Sequence, residues 1–182
     1  MTTMTLSRRP RGVPGRMHVA RSRGVITGIL LVLLGVWGGL IPFLGPVFGY
    51  AYTPDVAWHF TMGRLYLEIL PAAATIVGGL LLLGTANRAV SQFGGWLAAV
   101  AGAWFAVGPT LSQLFHSGTP AAGGPASATS TQAALEELGF FVGLGVVVVF
   151  LAAIGLGRSS VVGVKDVAST HGDDETASDL PA

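Results

Sequence analysis

The amino-acid sequence predicts an all-α integral membrane protein with four transmembrane helices, from its charge content, its apolar runs and the placement of its basic residues. Of the 182 residues, 51% are hydrophobic and 10% are charged, and the mean hydropathy is +0.65. A soluble domain usually carries about 25% charged residues, so this chain has too few to cover a water-exposed surface. The composition therefore favours lipid as the solvent.

Four apolar runs are each long enough to cross the hydrocarbon core of a bilayer, which takes about 20 helical residues. Every backbone amide in lipid must be satisfied internally, so we expect each run to be a helix. The expected spans are residues 25–44, 65–84, 89–111 and 138–157. They form a membrane domain over residues 24–158, between a basic tail (1–23) and an acidic tail (159–182) that are both expected to be disordered.

The basic residues predict the orientation of these spans. With the N-terminus inside, nine of the ten lie on the cytoplasmic side: six in the N-terminal tail, then Arg88, Arg158 and Lys165. Only Arg64 lies outside, so both termini are expected in the cytoplasm. Abundant Ala, Gly and Val, with arginine preferred to lysine, is typical of a bacterium with a GC-rich genome. We therefore expect a multi-pass protein of the bacterial plasma membrane.

An internal repeat is visible in the spans. The first and third contain the same Gly-x-Trp-x-x-x-x-Pro pattern, formed by Gly35, Trp37 and Pro42, and by Gly102, Trp104 and Pro109. The second and fourth open on Leu-Glu-x-Leu, which aligns Glu68 with Glu136. These matches predict two tandem two-helix units of the same orientation, related by a pseudo-twofold axis along the membrane normal.

The repeated pattern resembles the SPW-repeat membrane proteins, small bacterial proteins built from a two-helix unit. In that family a Gly and a Trp precede a Ser-Pro-Trp motif near the end of the first helix. Both copies here have the Gly, the first Trp and the Pro, but Ile41 and Gly108 replace the Ser, and Phe43 and Thr110 replace the second Trp. The resemblance spans most of the membrane domain. It implies the fold and the membrane location, and no activity.

Small residues recur at spacings of four and seven and so line one face of a helix. In lipid, such residues let helix backbones approach closely. The glycines expected to pack helices are Gly28, Gly35, Gly39, Gly94, Gly102, Gly139 and Gly143. Two alternatives remain open for the stripe on the first span: packing within one chain, or a homo-oligomer interface.

The two outer loops differ in composition. The first contains Phe48, Tyr50, Tyr52, Trp58 and Phe60, which we expect to form an aromatic belt at the headgroup level. The second, about residues 116–131, is a run of small residues that predicts a flexible, exposed loop.

Glu68 is the main candidate for a polar site, because a carboxylate costs about 2.5–3.5 kcal/mol at the centre of a span. Arg64 lies four residues earlier, where it could pair with Glu68, and Glu136 is the repeat counterpart. One alternative is that these three side chains converge into a pocket for a cation, a proton or a lipid headgroup. The other is that both glutamates lie at the interface, where the helix macrodipole favours them by about 0.3–1 kcal/mol.

Other chemistry-bearing motifs are missing from the sequence. The chain has no cysteine, which excludes disulfides and thiolate chemistry. His59 and His116 have no metal-ligand spacing, so we expect no metal and no cofactor. We also find no phosphate-binding loop and no catalytic set, and beside a membrane the basic tail predicts lipid rather than a nucleic acid as its partner.

Two hypotheses for function follow. The first is a non-enzymatic structural or interaction module that packs with itself, with lipids or with another membrane protein. The alternative is a small transporter, or a protein that binds an ion or a lipid headgroup, which uses the outer-leaflet carboxylates.

Overall fold

A computed structural model describes residues 24–53, 56–85, 87–114 and 123–160. Within these ranges the chain forms five helical segments: α1 (Val25–Leu44), α2 (Met62–Gly84), α3 (Arg88–Ser112), α4 (Ser130–Phe140) and α5 (Val142–Ser160). A 3₁₀ turn, Gly45–Phe48, extends α1. Helices α4 and α5 form one long span that is broken at Phe141. The tail expected at 1–23, and that expected at 159–182 beyond residue 160, lie outside the described residues.

The described part of the chain contains four spans that are long and apolar enough to cross a membrane: Val25–Phe48, Met62–Gly84, Arg88–Ser112 and Ser130–Ser160. Large apolar side chains face away from the bundle along these spans; Leu33, Phe93 and Phe150 are 60%, 61% and 64% exposed. A soluble protein rarely presents so much apolar surface. The fold is therefore that of an all-helical, multi-pass membrane protein. Its fourth span begins earlier than the sequence indicated, at Ser130.

The helices form an up-and-down bundle in chain order. Helix α1 packs against α2, α2 against α3 and α3 against α5, and a smaller contact between α1 and α5 closes the ring. The turn at residues 85–87 defines the turn end of the bundle. The longer connections, residues 45–61 and 113–129, lie at the opposite end, which we call the loop end. Arg88 and Arg158 lie at the turn end and Arg64 at the loop end.

Glycines bring the helix backbones into contact. A Cβ atom placed on Gly35 would lie 2.9 Å from the Ala72 carbonyl oxygen, and one placed on Gly102 would lie 2.9 Å from the Gly145 carbonyl oxygen. No side chain fits at these points, so dispersion and Cα–H···O contacts between backbones hold the helices together. The same reasoning applies to Gly28, Gly39 and Gly94. The glycine stripe of the first span is therefore packed within the chain.

Gly139 and Gly143, which were expected to pack helices, lie elsewhere. A Cβ atom on Gly139 would coincide with the Tyr50 hydroxyl group, and one on Gly143 would lie 2.5 Å from the carbonyl oxygen of Leu138, in the preceding helical segment. The backbone at Phe141 leaves the helical region (φ −129°, ψ −80°) and interrupts the four-residue spacing. Gly145 makes the contact with α3 instead.

The contacts between α1 and α2 recur between α3 and α5. Gly28 meets Leu83 in the first pair, and Gly95 meets Leu156 in the second. These positions differ by 67 residues in the first helices and by 73 residues in the second helices, and the Gly35 and Gly102 contacts obey the same two shifts. Buried positions follow them too: Thr27, Gly28, Leu31, Gly35, Gly38 and Ile41 match Gly94, Gly95, Ala98, Gly102, Phe105 and Gly108.

These shifts change the alignment of the two glutamates. The Leu-Glu-x-Leu pattern aligned Glu68 with Glu136, whereas the shift of the second helices aligns Glu68 with Phe141. A π-helical turn at Leu65–Ile69 in α2 then lies at the level of the break between α4 and α5. Glu136 therefore lies in the separate helical segment before that break, and it is not the counterpart of Glu68 in the packing.

The tryptophans of the repeated pattern connect the two halves. Trp37 Nε1 donates to the Gly139 carbonyl at 3.2 Å, and Trp104 Nε1 donates to the Tyr66 carbonyl at 2.9 Å. Gly139 lies in the last turn of α4, where carbonyls lack an intrahelical donor, and Tyr66 lies in the π-helical turn. Each indole thus binds a backbone acceptor at an irregular point. Pro42 and Pro109 lie near the loop-end termini of α1 and α3.

Candidate functional site: a buried acid site at the loop end

The buried charged side chains of the described residues all lie at the loop end. Arg64, Glu68 and Glu136 are 4%, 1% and 0% exposed. The sequence left open whether the glutamates are interfacial or enclosed, and the structure encloses both carboxylates within the protein. Because a buried charge is costly unless it is paired and hydrogen-bonded, the partners of each group decide what the site can do.

Arg64 folds the first connection back onto the start of α2. The Thr61 hydroxyl oxygen caps this helix by accepting from the Arg64 backbone N–H at 3.1 Å. The guanidinium donates through Nη1 to the His59 carbonyl at 2.8 Å and through Nη2 to the Tyr52 carbonyl at 3.5 Å. It also lies 5.9 Å from the centroid of the Phe43 ring, within the range of a cation–π interaction.

Glu68 lies four residues after Arg64, inside the π-helical turn, and the positive charge of Arg64 acts on its carboxylate. Its Oε2 atom has no hydrogen-bond donor among the described residues. Single π-helical turns are frequent at functional sites. Glu68 thus presents one acceptor atom that a bound group could use.

Glu136 has a similar unused acceptor. Its Oε2 atom accepts from the Ser127 backbone N–H at 3.3 Å and from the Ser127 hydroxyl at 3.0 Å. Its Oε1 atom is buried and has no donor in the described part of the chain. The carboxylate therefore binds the second connection with one oxygen and leaves the other for a ligand.

Tyr52 connects the two glutamates. Its side chain is only 6% exposed, and burial raises its pKa, as do the negative charges of Glu137, Glu136 and Glu68. A phenol influenced by the carboxylates on both helices must lie near each of them. We define the acid site as Arg64, Glu68, Glu136 and Tyr52.

The two connections pair above the acid site. Tyr52 and Pro125 form an antiparallel bridge, which is extended by hydrogen bonds from Thr53 N–H to the Gly124 carbonyl and from Ala126 N–H to the Ala51 carbonyl, both at 2.9 Å. We call residues 49–53 and 123–127 the loop cover. Below it, the Tyr52 ring lies 5.0 Å and 5.1 Å from the rings of Phe140 and Phe141.

This arrangement corrects two expectations about the loops. Tyr52 is buried inside the protein, and Tyr50 is half-buried and stacks on Phe140 at 5.4 Å. Phe48, Trp58 and Phe60 are 62%, 70% and 54% exposed, as a headgroup belt requires. Ser127 belongs to a loop that its composition predicted to be flexible and exposed, yet it is bound to Glu136. No pattern in that run of small residues distinguishes Ser127 from its neighbours.

The site carries no metal-ligand cluster of the usual kind. Within the described ranges, no three His, Asp or Glu side chains come together in a way that could bind a metal ion. The imidazole of His59 is exposed, and its backbone carbonyl binds Arg64. His116 lies outside the described residues.

Comparisons of this chain with protein-family models, with curated proteins and with solved structures find no match. The resemblance to the SPW-repeat proteins therefore stays a prediction. The function has to be argued from the site itself.

Proposed function

We propose that this chain is a non-enzymatic membrane protein that binds a small cation in the acid site. One observation carries the proposal: two buried carboxylates share one buried guanidinium, and each carboxylate keeps one oxygen atom without a donor. With both glutamates ionised, the buried side chains of the described residues carry one more negative than positive charge. A cation is the ligand class that balances it.

The energetic reason is the cost of an uncompensated buried charge, which amounts to several kcal/mol per ion after relaxation. At a membrane interface water would relieve this cost, but the protein encloses both carboxylates. Oxygen ligands suit hard cations. The Oε2 atom of Glu68, the Oε1 atom of Glu136 and the hydroxyl of Tyr52 are the protein oxygens that we propose as ligands.

The proposal includes an orientation and an origin for the fold. We place the loop end outside a bacterial plasma membrane and both termini in the cytoplasm, because Arg88 and Arg158 lie at the turn end. We treat the two halves as copies of one two-helix unit of the SPW-repeat kind. The constant shifts in helix contacts, in buried positions and in the two indole hydrogen bonds favour this duplication.

Thermal stability in different salts tests cation binding. A ligand that binds only the folded state stabilises it by about 2.7 kcal/mol at 100 times its dissociation constant. We expect the melting temperature in sodium or potassium chloride to exceed that in choline chloride at equal ionic strength. Glu68→Gln and Glu136→Gln should remove the difference, whereas Glu137→Gln, at an exposed position, should keep it. Equal melting temperatures of the unaltered protein in all three salts would refute the proposal.

The second candidate is a structural or interaction module that packs with lipid or with another membrane protein. The exposed aromatic surface of Phe48, Trp58 and Phe60 favours it, since such side chains anchor proteins at membrane interfaces. This function needs no ligand in the acid site. It predicts the same stability in the three salts, so the same experiment separates the two candidates.

A further inference from the structure

The loop cover is attached to the bundle in two different ways. Away from the acid site, neutral hydrogen bonds join it to α4: the Tyr50 hydroxyl donates to the Leu135 carbonyl at 2.7 Å, and Gln132 Nε2 donates to the Gly49 carbonyl at 2.8 Å. Over the acid site, its attachments involve charged groups. Arg64 donates to the Tyr52 carbonyl, and Glu136 accepts from Ser127.

We propose that the loop cover is a lid over the acid site, and that cation binding stabilises its closed form through Glu136. This inference rests on the proposed cation binding and adds its regulation. The α4 side of the cover serves as the hinge, because its hydrogen bonds are independent of the charged groups. The Ser127 side is the edge that opens.

The coupling follows from the two oxygen atoms of one carboxylate. In the closed form Glu136 is fully buried, with Oε2 bound to Ser127 and Oε1 without a donor. With the site empty, the buried negative charge favours opening of the cover toward water. A cation on Oε1 compensates that charge while Oε2 keeps the two Ser127 hydrogen bonds. By linkage, whatever weakens closure must also weaken cation binding.

Hydrogen exchange on the full chain in lipid nanodiscs tests this lid. The backbone N–H groups of Thr53 and Ala126 report closure, because each donates across the two connections. In the unaltered protein we expect slower exchange of both amides in sodium or potassium chloride than in choline chloride of equal ionic strength. Removing the Ser127 hydroxyl should speed their exchange roughly tenfold, the effect of losing a hydrogen bond to a charged group.

Three variants make the test specific. Ser127→Ala should exchange fast, and its remaining salt response should be weaker. Glu136→Gln keeps an acceptor for Ser127 without the charge, so the amides should stay protected and respond equally to all salts. Thr131→Ala, at an exposed position on α4, is the matched control and should behave like the unaltered protein.

Two results would overturn the inference, and they differ in what they say of the proposed function. If sodium or potassium raises the melting temperature but Ser127→Ala leaves the exchange of Thr53 and Ala126 unchanged, the site binds a cation and the lid is wrong. If Ser127→Ala speeds exchange but the unaltered protein responds alike to all salts in both assays, the coupling fails together with cation binding.

Discussion

Trp37 and Trp104, 67 residues apart, each donate an indole hydrogen bond to a backbone carbonyl in the opposite half of the bundle. Their acceptors, Gly139 and Tyr66, differ by the same 73 residues that relate the other contacts of the second helices. The repeated Gly-x-Trp pattern therefore has two structural roles. The glycine lets the helices of one half touch, and the tryptophan binds the other half where its helix is irregular.

Replacing these tryptophans should destabilise the fold by similar amounts. Trp37→Phe and Trp104→Phe keep most of the apolar surface but leave a carbonyl without its donor, which costs about 1–3 kcal/mol when no water replaces it. Trp96→Phe is the control, because Trp96 faces outward and is 62% exposed. Denaturant-induced unfolding in micelles measures the difference. Equal losses in all three variants would show that the indole hydrogen bonds contribute nothing.

Alanine at the paired glycines should also destabilise both halves alike. In Gly35→Ala and Gly102→Ala the new Cβ atom meets a backbone carbonyl at 2.9 Å, and such overpacking costs about 1–3 kcal/mol. At Gly157 on α5 a Cβ atom meets nothing within 4 Å, so Gly157→Ala should be neutral or stabilising by up to about 1 kcal/mol. The same unfolding measurement applies. A stable Gly102→Ala variant would contradict the backbone contact with Gly145.

Arg64 and Glu68 should behave as a coupled pair. Arg64→Met removes the positive charge that acts on the Glu68 carboxylate, and losing one partner of a buried pair costs about 3–5 kcal/mol. Adding Glu68→Gln should recover part of this loss, because it removes the charge left unpaired. A double-mutant cycle of unfolding free energies measures the coupling. Additive effects would indicate that the two side chains are independent.

The tyrosines of the loop cover should titrate late. Burial and the charge of Glu136 raise the pKa of Tyr50, and burial and three glutamates raise that of Tyr52. In a Tyr66→Phe background, the phenolate absorbance should therefore appear above the ordinary value of 10.0. Because the folded values are raised, their stabilising contribution is complete below pH 10.0 and is lost as pH rises through the folded values.

Charge removal sharpens this titration. Glu136→Gln should lower the midpoints of both tyrosines, whereas Glu137→Gln should lower that of Tyr52 alone, since only Tyr52 is influenced by Glu137. If Glu136→Gln left both midpoints unchanged, the carboxylate would not lie near the phenols, and the geometry of the acid site would be wrong.

The helical spans could be predicted from the sequence because length and apolarity alone determine them in lipid. The first three agree with the structure to within a few residues. The fourth was placed too late, because the polar residues before Leu138 looked like a loop. Those residues form α4, which the break at Phe141 separates from the apolar run. That break also misled the alignment of Glu136 and the assignment of Gly139 and Gly143.

The acid site could be predicted only in part. Glu68 and Arg64 stood out because charged residues are rare in spans, and their spacing placed them side by side. Ser127 and Tyr52 could not be found, since their roles depend on pairing between two loops that are far apart in sequence. A serine in a run of small residues, or a tyrosine in an aromatic loop, carries no local sign of such a contact.

Equilibrium binding of radioactive sodium and rubidium to the purified protein tests the central claim most directly, with rubidium standing for potassium. The account predicts saturable uptake of one cation per chain, lost in Glu68→Gln and in Glu136→Gln and retained in Glu137→Gln. Absence of saturable binding in the unaltered protein, or binding that survives both buried substitutions, would contradict it.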